Sequence, residues 1–199
     1  MAILKVAQMG HPVLREIAAP VDPAVIGTPA FQAFIDDMLE TMEEYEGAGL
    51  AAPQVHISQR VVVLELASSR GAEVMINPEI ELLTDEHRGT VEGCLSVEGM
   101  RARVWRPNHL CVRFLDREGE ARGYELKGFA ATVVQHECDH LDGVLFVDRC
   151  DTRTLAFMPE YRRFGPLDGT DDGEYDDDDD DDDESDASDE LSEGVEEET

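Results

Sequence analysis

Residues Gln135 to Gly143 read Gln-His-Glu-Cys-Asp-His-Leu-Asp-Gly. His136 and His140 are four apart, so on an α-helix of about 3.6 residues per turn they stack on one face. Two imidazoles so placed offer two nitrogens to one metal ion. Glu137 stands beside the first, within reach of a water on that ion. This is the His-Glu-x-x-His pattern of metal-assisted hydrolysis, in which the carboxylate shuttles a proton. Three fixed positions in five also arise by chance on a charged helix face, so the pattern needs support from elsewhere in the chain. The expected helix runs Phe129 to Leu141, opened by Gly128 and ended by Gly143. Phe129, Thr132 and Val133 precede His136 by seven, four and three residues and line its face, an apolar shelf beside the metal. Cys138 points about 200° from both histidines and cannot join them.

The chain outside this stretch sets limits. Its 199 residues suffice for one domain plus a tail, and a hydrophobic content of 42% suffices for a core. The net charge of −30 is uneven: residues 168–199 hold 20 acids and no Lys or Arg, against 26 acids and 16 bases in 1–167. We therefore read one globular, moderately acidic domain over 1–167 and a disordered acidic tail over 168–199, where eight consecutive acids from Asp176 to Asp183 bury nothing. An acidic body has no footprint for free nucleic acid. No apolar run approaches the roughly 20 residues of a membrane span. The opening Met-Ala-Ile-Leu-Lys-Val is no signal peptide, and Cys94, Cys111, Cys138 and Cys150 show no paired spacing, which together indicate a reducing cytoplasm.

Thr28-Pro29 starts the clearest helix, capped by Thr28, with Phe31, Phe34, Ile35, Met38, Leu39, Met42 and Tyr45 as its core stripe and Gly47 as its end. Gly47 to Gln54 is small, apolar and nearly uncharged, either a tight loop packed under a sheet or a wall along which a ligand backbone lies, with Gln54 as a donor. Arg60 to Leu66 reads as a buried strand, Ser68 to Gly71 as a turn, and Val74 to Leu82 as strand pieces broken at Pro78. His87 falls in a charged loop. Arg101 to Arg106 alternates as a strand, and His109–Leu115 with Ala121–Leu126 forms a hairpin. Val144 to Val147 reads as a short edge strand, and Asp151 to Met158 as a helix ended by Pro159.

Three motifs in order resemble the peptide deformylase family: Gly-Ala-Gly-Leu-Ala-Ala-Pro-Gln at 47–54, Glu-Gly-Cys-Leu-Ser at 92–96, and Gln-His-Glu-Cys-Asp-His-Leu-Asp-Gly at 135–143. The opening Gly-His-Pro-Val-Leu-Arg at 10–15 is also similar, and the likeness covers roughly residues 3–160. It implies an α+β fold of antiparallel sheets wrapped around the metal-bearing helix. It implies that Cys94 joins His136 and His140 as metal ligands, with water in the open position. The expected ion is Fe(II), with zinc, nickel and cobalt as alternatives among which the residues do not choose. The implied substrate is the N-formyl-methionyl end of new peptides. Glu137 would be the proton shuttle, and Gln54 with the Leu95 N–H the donors to the oxyanion. Ala48 and Gly49 would pair with the peptide backbone; Phe129, Thr132 and Val133 would seat the methionine; Arg101 would meet the backbone beyond it. Glu92 and Arg106 would pair behind the ligands. Relatives with a basic C-terminal helix approach the ribosome, and Arg149, Arg153, Arg162 and Arg163 would serve for that here. Two features depart from the pattern: Glu98 stands where many relatives carry Pro, and the acidic tail has no counterpart.

Two rival readings stand beside this one. A gluzincin-type protease also carries His-Glu-x-x-His, and Glu160, 20 residues after His140, has the spacing of its third ligand, although Pro159 and Tyr-Arg-Arg around it suit an exposed helix end. A binding module with a structural ion would use the acidic tail to capture basic partners.

Overall fold

A run of branched residues, Val61-Val62-Val63-Leu64, carries no polar alternation, and such a strand must be covered on both faces. The structure, a computed structural model describing residues 2–66 and 71–165, covers it on both. In chain order the elements are a 3-10 turn (Pro12–Arg15), α1 (Pro23–Ile26), α2 (Pro29–Glu44), β1 (Gly49–Ala51), a 3-10 turn (Ala52–Val55), β2 (Val61–Glu65), β3 (Ala72–Leu82), β4 (His87–Cys94), β5 (Val97–Pro107), β6 (His109–Leu115), β7 (Ala121–Lys127), α3 (Gly128–Leu141), α4 (Phe146–Arg149), a 3-10 turn (Thr152–Thr154), β8 (Ala156–Phe157) and α5 (Met158–Phe164). Five strands form an antiparallel sheet in the order β1-β2-β3-β6-β7, and three more pair as β4-β5-β8. The acidic segment from Asp168 and the expected turn at Ser68 to Gly71, apart from Gly71 itself, lie outside the described residues.

The alternation of β2 divides the core. Val61 and Val63 pack with Phe31, Ile35, Met38 and Met42 of α2, while Val62 and Leu64 pack with Ala131, Val134, Cys138 and Leu141 of α3. Helix α2 starts as its sequence requires: the Thr28 hydroxyl accepts from the Phe31 N–H, and Pro29 occupies the first turn, where no N–H is needed. It ends at Glu44, with Gly47 donating to the Met42 carbonyl just beyond. Strand β3 loses register between Ile76 and Glu79, where Pro78 has no donor to give and Asn77 turns to φ 53°. The Asn77 side chain then holds both the N–H and the carbonyl of Val21. A third cluster joins Ala102 and Val104 of β5 to Leu145, Phe146, Val13 and Leu14, and it closes the second sheet onto the end of α3. No helix among the described residues is long and apolar enough to cross a membrane.

Three local expectations are corrected. Val144–Val147 is no edge strand: Phe146–Arg149 is one helical turn, whose start is fixed by the Asp148 carboxylate accepting from the Leu145 N–H at 2.7 Å. A four-residue apolar run does not distinguish a strand from a buried turn of helix. His87 is not in a loop but opens β4, an outer strand whose polar residues carry no burial period. Pro159 does not end a helix but sits in the first turn of α5, and the preceding Ala156–Phe157 pairs with Arg101 and Met100 instead.

Gly143 has φ 72°, and a Cβ there would lie 2.8 Å from the Arg15 backbone; Gly165 has φ 71° with open space around it. Gly143→Ala is therefore expected to lower stability by about 2 kcal/mol or more, and Gly165→Ala by distinctly less. Thermal unfolding of the two variants side by side checks this.

Candidate metal centre and its cleft

The two-residue turn Leu95–Ser96 joins β4 to β5 and pairs Cys94 with Val97, so the Cys94 side chain is carried on a tight, well-braced corner. That corner meets α3. The Cys94 sulfur lies 3.2 Å from His140 Nε2, and the sulfur and one nitrogen from each of His136 and His140 all fall within 4.8 Å of one another. The Ser96 N–H and the Gln54 side-chain amide both point at the sulfur, at 3.4 and 3.6 Å. Ligands of a four-coordinate ion, with metal–sulfur near 2.3 Å and metal–nitrogen near 2.1 Å, are separated by about 3.5 Å, so the donor set fits a small divalent cation. The electrostatics also fit. Burial works against charge on His136, but Cys94 and Glu92 outweigh it and raise its pKa well above the ordinary value. Burial holds His140 well below that value, leaving a neutral ring with a lone pair to give. The site therefore draws positive charge, and a donor set of three would leave room for a fourth ligand that is not protein.

Behind the ligands, His136 Nδ1 is bound by Glu92 at 2.8 Å, which directs the other ring nitrogen toward Cys94 and His140. Arg106 grips the same carboxylate with two hydrogen bonds of 2.6 and 2.9 Å and reaches Asp139 with its third nitrogen at 2.8 Å. Burial pushes the Glu92 pKa up, yet Arg106 and His136 outweigh it and hold it below the ordinary carboxylate range. The Phe146 ring stacks on His136 at 6.3 Å between centroids, an arrangement no sequence period announces.

Glu137 is buried, one of its carboxylate oxygens finds no hydrogen-bond partner among the described residues, and burial pushes its pKa up to about 7. Its position depends on Gly49: a Cβ there would lie 2.6 Å from Glu137 Oε1. The small-residue wall at 47–54 is thus a close approach of β1 to α3: it is not a loop under the sheet but a strand of the sheet followed by a 3-10 turn, and Gly47, Ala48, Gly49 and Gln54 line the cleft. Gln54 turns its carbonyl to the Ala51 N–H at 2.8 Å and its amide to Cys94 and Ser96.

A cleft of about 480 Å³ opens over these groups. Ala48, Gly49, Gln54, Cys94, Leu95, Arg101, Phe129, Thr132, Val133, His136 and Glu137 all line it. His140, on α3, is fully buried and does not line the cleft itself. Arg101 lies flat over Gly93, where a Cβ would come within 2.0 Å of the guanidinium. Glu160 is exposed on α5, outside the one cluster of metal-type donors among the described residues, which leaves the gluzincin reading without its third ligand. Sequence reasoning passed over Ser96 and Asp139, although both lie inside motifs it quoted, and over Gln8, which lines the cleft and binds the Leu95 carbonyl at 3.0 Å.

The comparisons with known proteins agree with this geometry. The polypeptide deformylase family profile matches residues 3–155. A protein named peptide deformylase from Stutzerimonas stutzeri is 47% identical over 149 residues, covering 74% of this chain and 87% of the relative. Among solved structures, the actinonin-bound class I type b peptide deformylase from Acinetobacter baumannii is 41% identical with a TM-score of 0.71, covering 76% of this chain and 100% of that one. The same enzyme with Met-Ala-Ser bound is 40% identical with a TM-score of 0.71, covering 74% and 98%. With a match across most of its length and the motif residues gathered in one cleft, this chain belongs to the polypeptide deformylase family.

Proposed function

We propose that this chain hydrolyses the N-formyl group from the N-terminal methionine of newly made peptides, releasing formate. The observation that carries the reading is the buried Glu137 beside the Cys94–His136–His140 donor group at the floor of a peptide-sized cleft. Cys94, His136 and His140 would hold a divalent ion, which would supply Lewis acidity and lower the pKa of a water. Iron(II) is the ion proposed, on the likeness to the family alone, since a thiolate and two imidazoles would also hold zinc, nickel or cobalt. Glu137 takes the proton as the water attacks the formyl carbon and returns it to the departing amine. The Gln54 amide and the Leu95 N–H stabilise the charge that develops on the formyl oxygen. Phe129, Thr132 and Val133 seat the methionine side chain. Ala48 and Gly49, at the free edge of β1, pair with the peptide backbone in strand fashion, and Arg101 meets the chain beyond the methionine. The name of the bound tripeptide in the Acinetobacter relative, Met-Ala-Ser, supports that class of ligand here.

The proposed place of work is the cytoplasm, beside the ribosome. Support comes from α5, which ends in Arg162 and Arg163 and leaves Phe164 exposed beside them. The acidic residues 168–199 follow this helix directly and oppose its charge.

Glu137→Gln is expected to keep stoichiometric metal and to lose formate release from formyl-Met-Ala-Ser by roughly 10²-fold or more. Gly49→Ala, which pushes on the Glu137 carboxylate, should also keep metal and lose about 10-fold or more in kcat. Near-normal turnover by Glu137→Gln would remove the shuttle role. The pH profile adds an independent check. Glu137 works as a base only when ionised, so kcat/KM rises with pH through its pKa. Burial raises that pKa to about 7 and a bound ion's charge would draw it down, so the acid limb is expected below about 7. An acid limb unchanged in the residual activity of Glu137→Gln, with metal content constant, would exclude Glu137. Deleting 168–199 is expected to tighten ribosome association at low salt, and unchanged sedimentation with ribosomes at every salt concentration would count against any electrostatic role for the tail.

A further inference from the structure

Arg106 is asked to serve two buried carboxylates with one guanidinium. Its Nε and Nη2 bind Glu92, its Nη1 binds Asp139, and it is only 4% exposed, so solvent does not share the load. Taken alone, this trio carries one uncompensated negative charge away from water, an arrangement that strongly destabilises buried ion pairs. The missing positive charge comes from Arg149. Its Nη2 donates to Asp139 Oδ1 at 2.7 Å, and its Nε lies 2.7 Å from Asp139 Oδ2. The four groups form one unbroken line from the half-exposed Arg149 through Asp139, Arg106 and Glu92 to His136 Nδ1.

The element that delivers Arg149 is itself tied down. Helix α4 is held by the Asp148 carboxylate, which accepts from the Leu145 N–H and pairs with Arg15 of the N-terminal segment, and its Phe146 stacks on His136. One helical turn thus touches the proposed ligand twice, once by packing and once through charge. Of the four arginines read from sequence as a basic surface, Arg149 is committed inward to Asp139, whereas Arg153 pairs only with its neighbour Asp151 and is 88% exposed in its side chain.

We propose that Arg149 is a positioning residue for the metal centre. By compensating Asp139 it leaves Arg106 to Glu92, and Glu92 in turn fixes the ring of His136. Without it, Asp139 competes for Arg106 and the hold on His136 Nδ1 loosens. The inference rests on the reading that Cys94, His136 and His140 hold the ion.

The test uses the full chain loaded with cobalt(II), with the rate of metal release to an excess chelator and the visible absorption of the bound ion as readouts. R149M is expected to release metal about 10-fold faster than the unaltered protein and to shift the absorption band. R149K keeps the charge without the forked geometry and should fall between the two. R153M, which removes an equal charge from the same surface, should release at the unaltered rate. If R149M does not accumulate, R149Q carries the same comparison. Release from R149M at the unaltered rate would overturn the inference, as would equal acceleration in R153M, or an R149K no slower than R149M. Failure of the unaltered protein to take up one ion per chain would instead overturn the ligand assignment, and this inference with it.

Discussion

A sulfur on a sheet corner and two ring nitrogens on a helix come within 4.8 Å of one another, and nearly every other feature of the fold serves that meeting. The two partners arrive from independent elements separated by more than 40 residues, so their distance is set by packing and not by chain geometry. Helix α3 is pressed against β2 by Ala131, Val134, Cys138 and Leu141. The corner is pressed onto the helix by the cluster of Val97, Ala102 and Val104 with Leu145 and Phe146. Close-packed interiors resist small shifts, so two such cores hold the donors to within fractions of an ångström. A metal site on two elements also ties them together, because binding energy at the site is folding energy for the arrangement that creates it.

Much of this was legible in the sequence, for identifiable reasons. Helix α2 has an apolar stripe, a capping Thr28 and a Pro at its start, three signals that agree. The β6–β7 hairpin has a charged turn with Asp116 and Gly119 between two strand-like runs. The His-Glu-x-x-His spacing is itself a statement of helical geometry. The failures have a common cause. Strand β4 is polar because it is an outer strand, and α4 is a single turn of which only Phe146 is buried, too short to show a period. Their identities are set by tertiary partners: β5 for the first, the Asp148 carboxylate and His136 for the second.

The same limit governs the site. Residue types that touch the ion or the reacting atoms appear in short motifs, since the chemistry needs them at fixed spacing on one element. Residues that act through others need only be near in space. Gly49 looks like one more small residue in a small-residue run, and its necessity appears only when Glu137 is seen 2.6 Å from where a Cβ would be. Arg149 looks like surface charge until Asp139 is found buried beside it. The informative quantity in each case is a distance between elements, which a linear reading does not contain.

Charge counting ties these residues into one argument. In the proposed site a divalent ion, a thiolate at Cys94 and an ionised Glu137 would sum to zero, which would leave the occupied centre neutral. Glu92, Arg106, Asp139 and Arg149 also sum to zero, so the support behind His136 is neutral as well. Two adjacent neutral groups minimise the cost of desolvating seven charges in one small volume. Neutrality has a functional side. A net negative support would stabilise protonated Glu137 and weaken it as a shuttle, whereas a net positive one would repel the ion. The balance is reached only because a single turn of helix, itself pinned by Asp148 and Arg15, brings one more guanidinium to the buried face of α3.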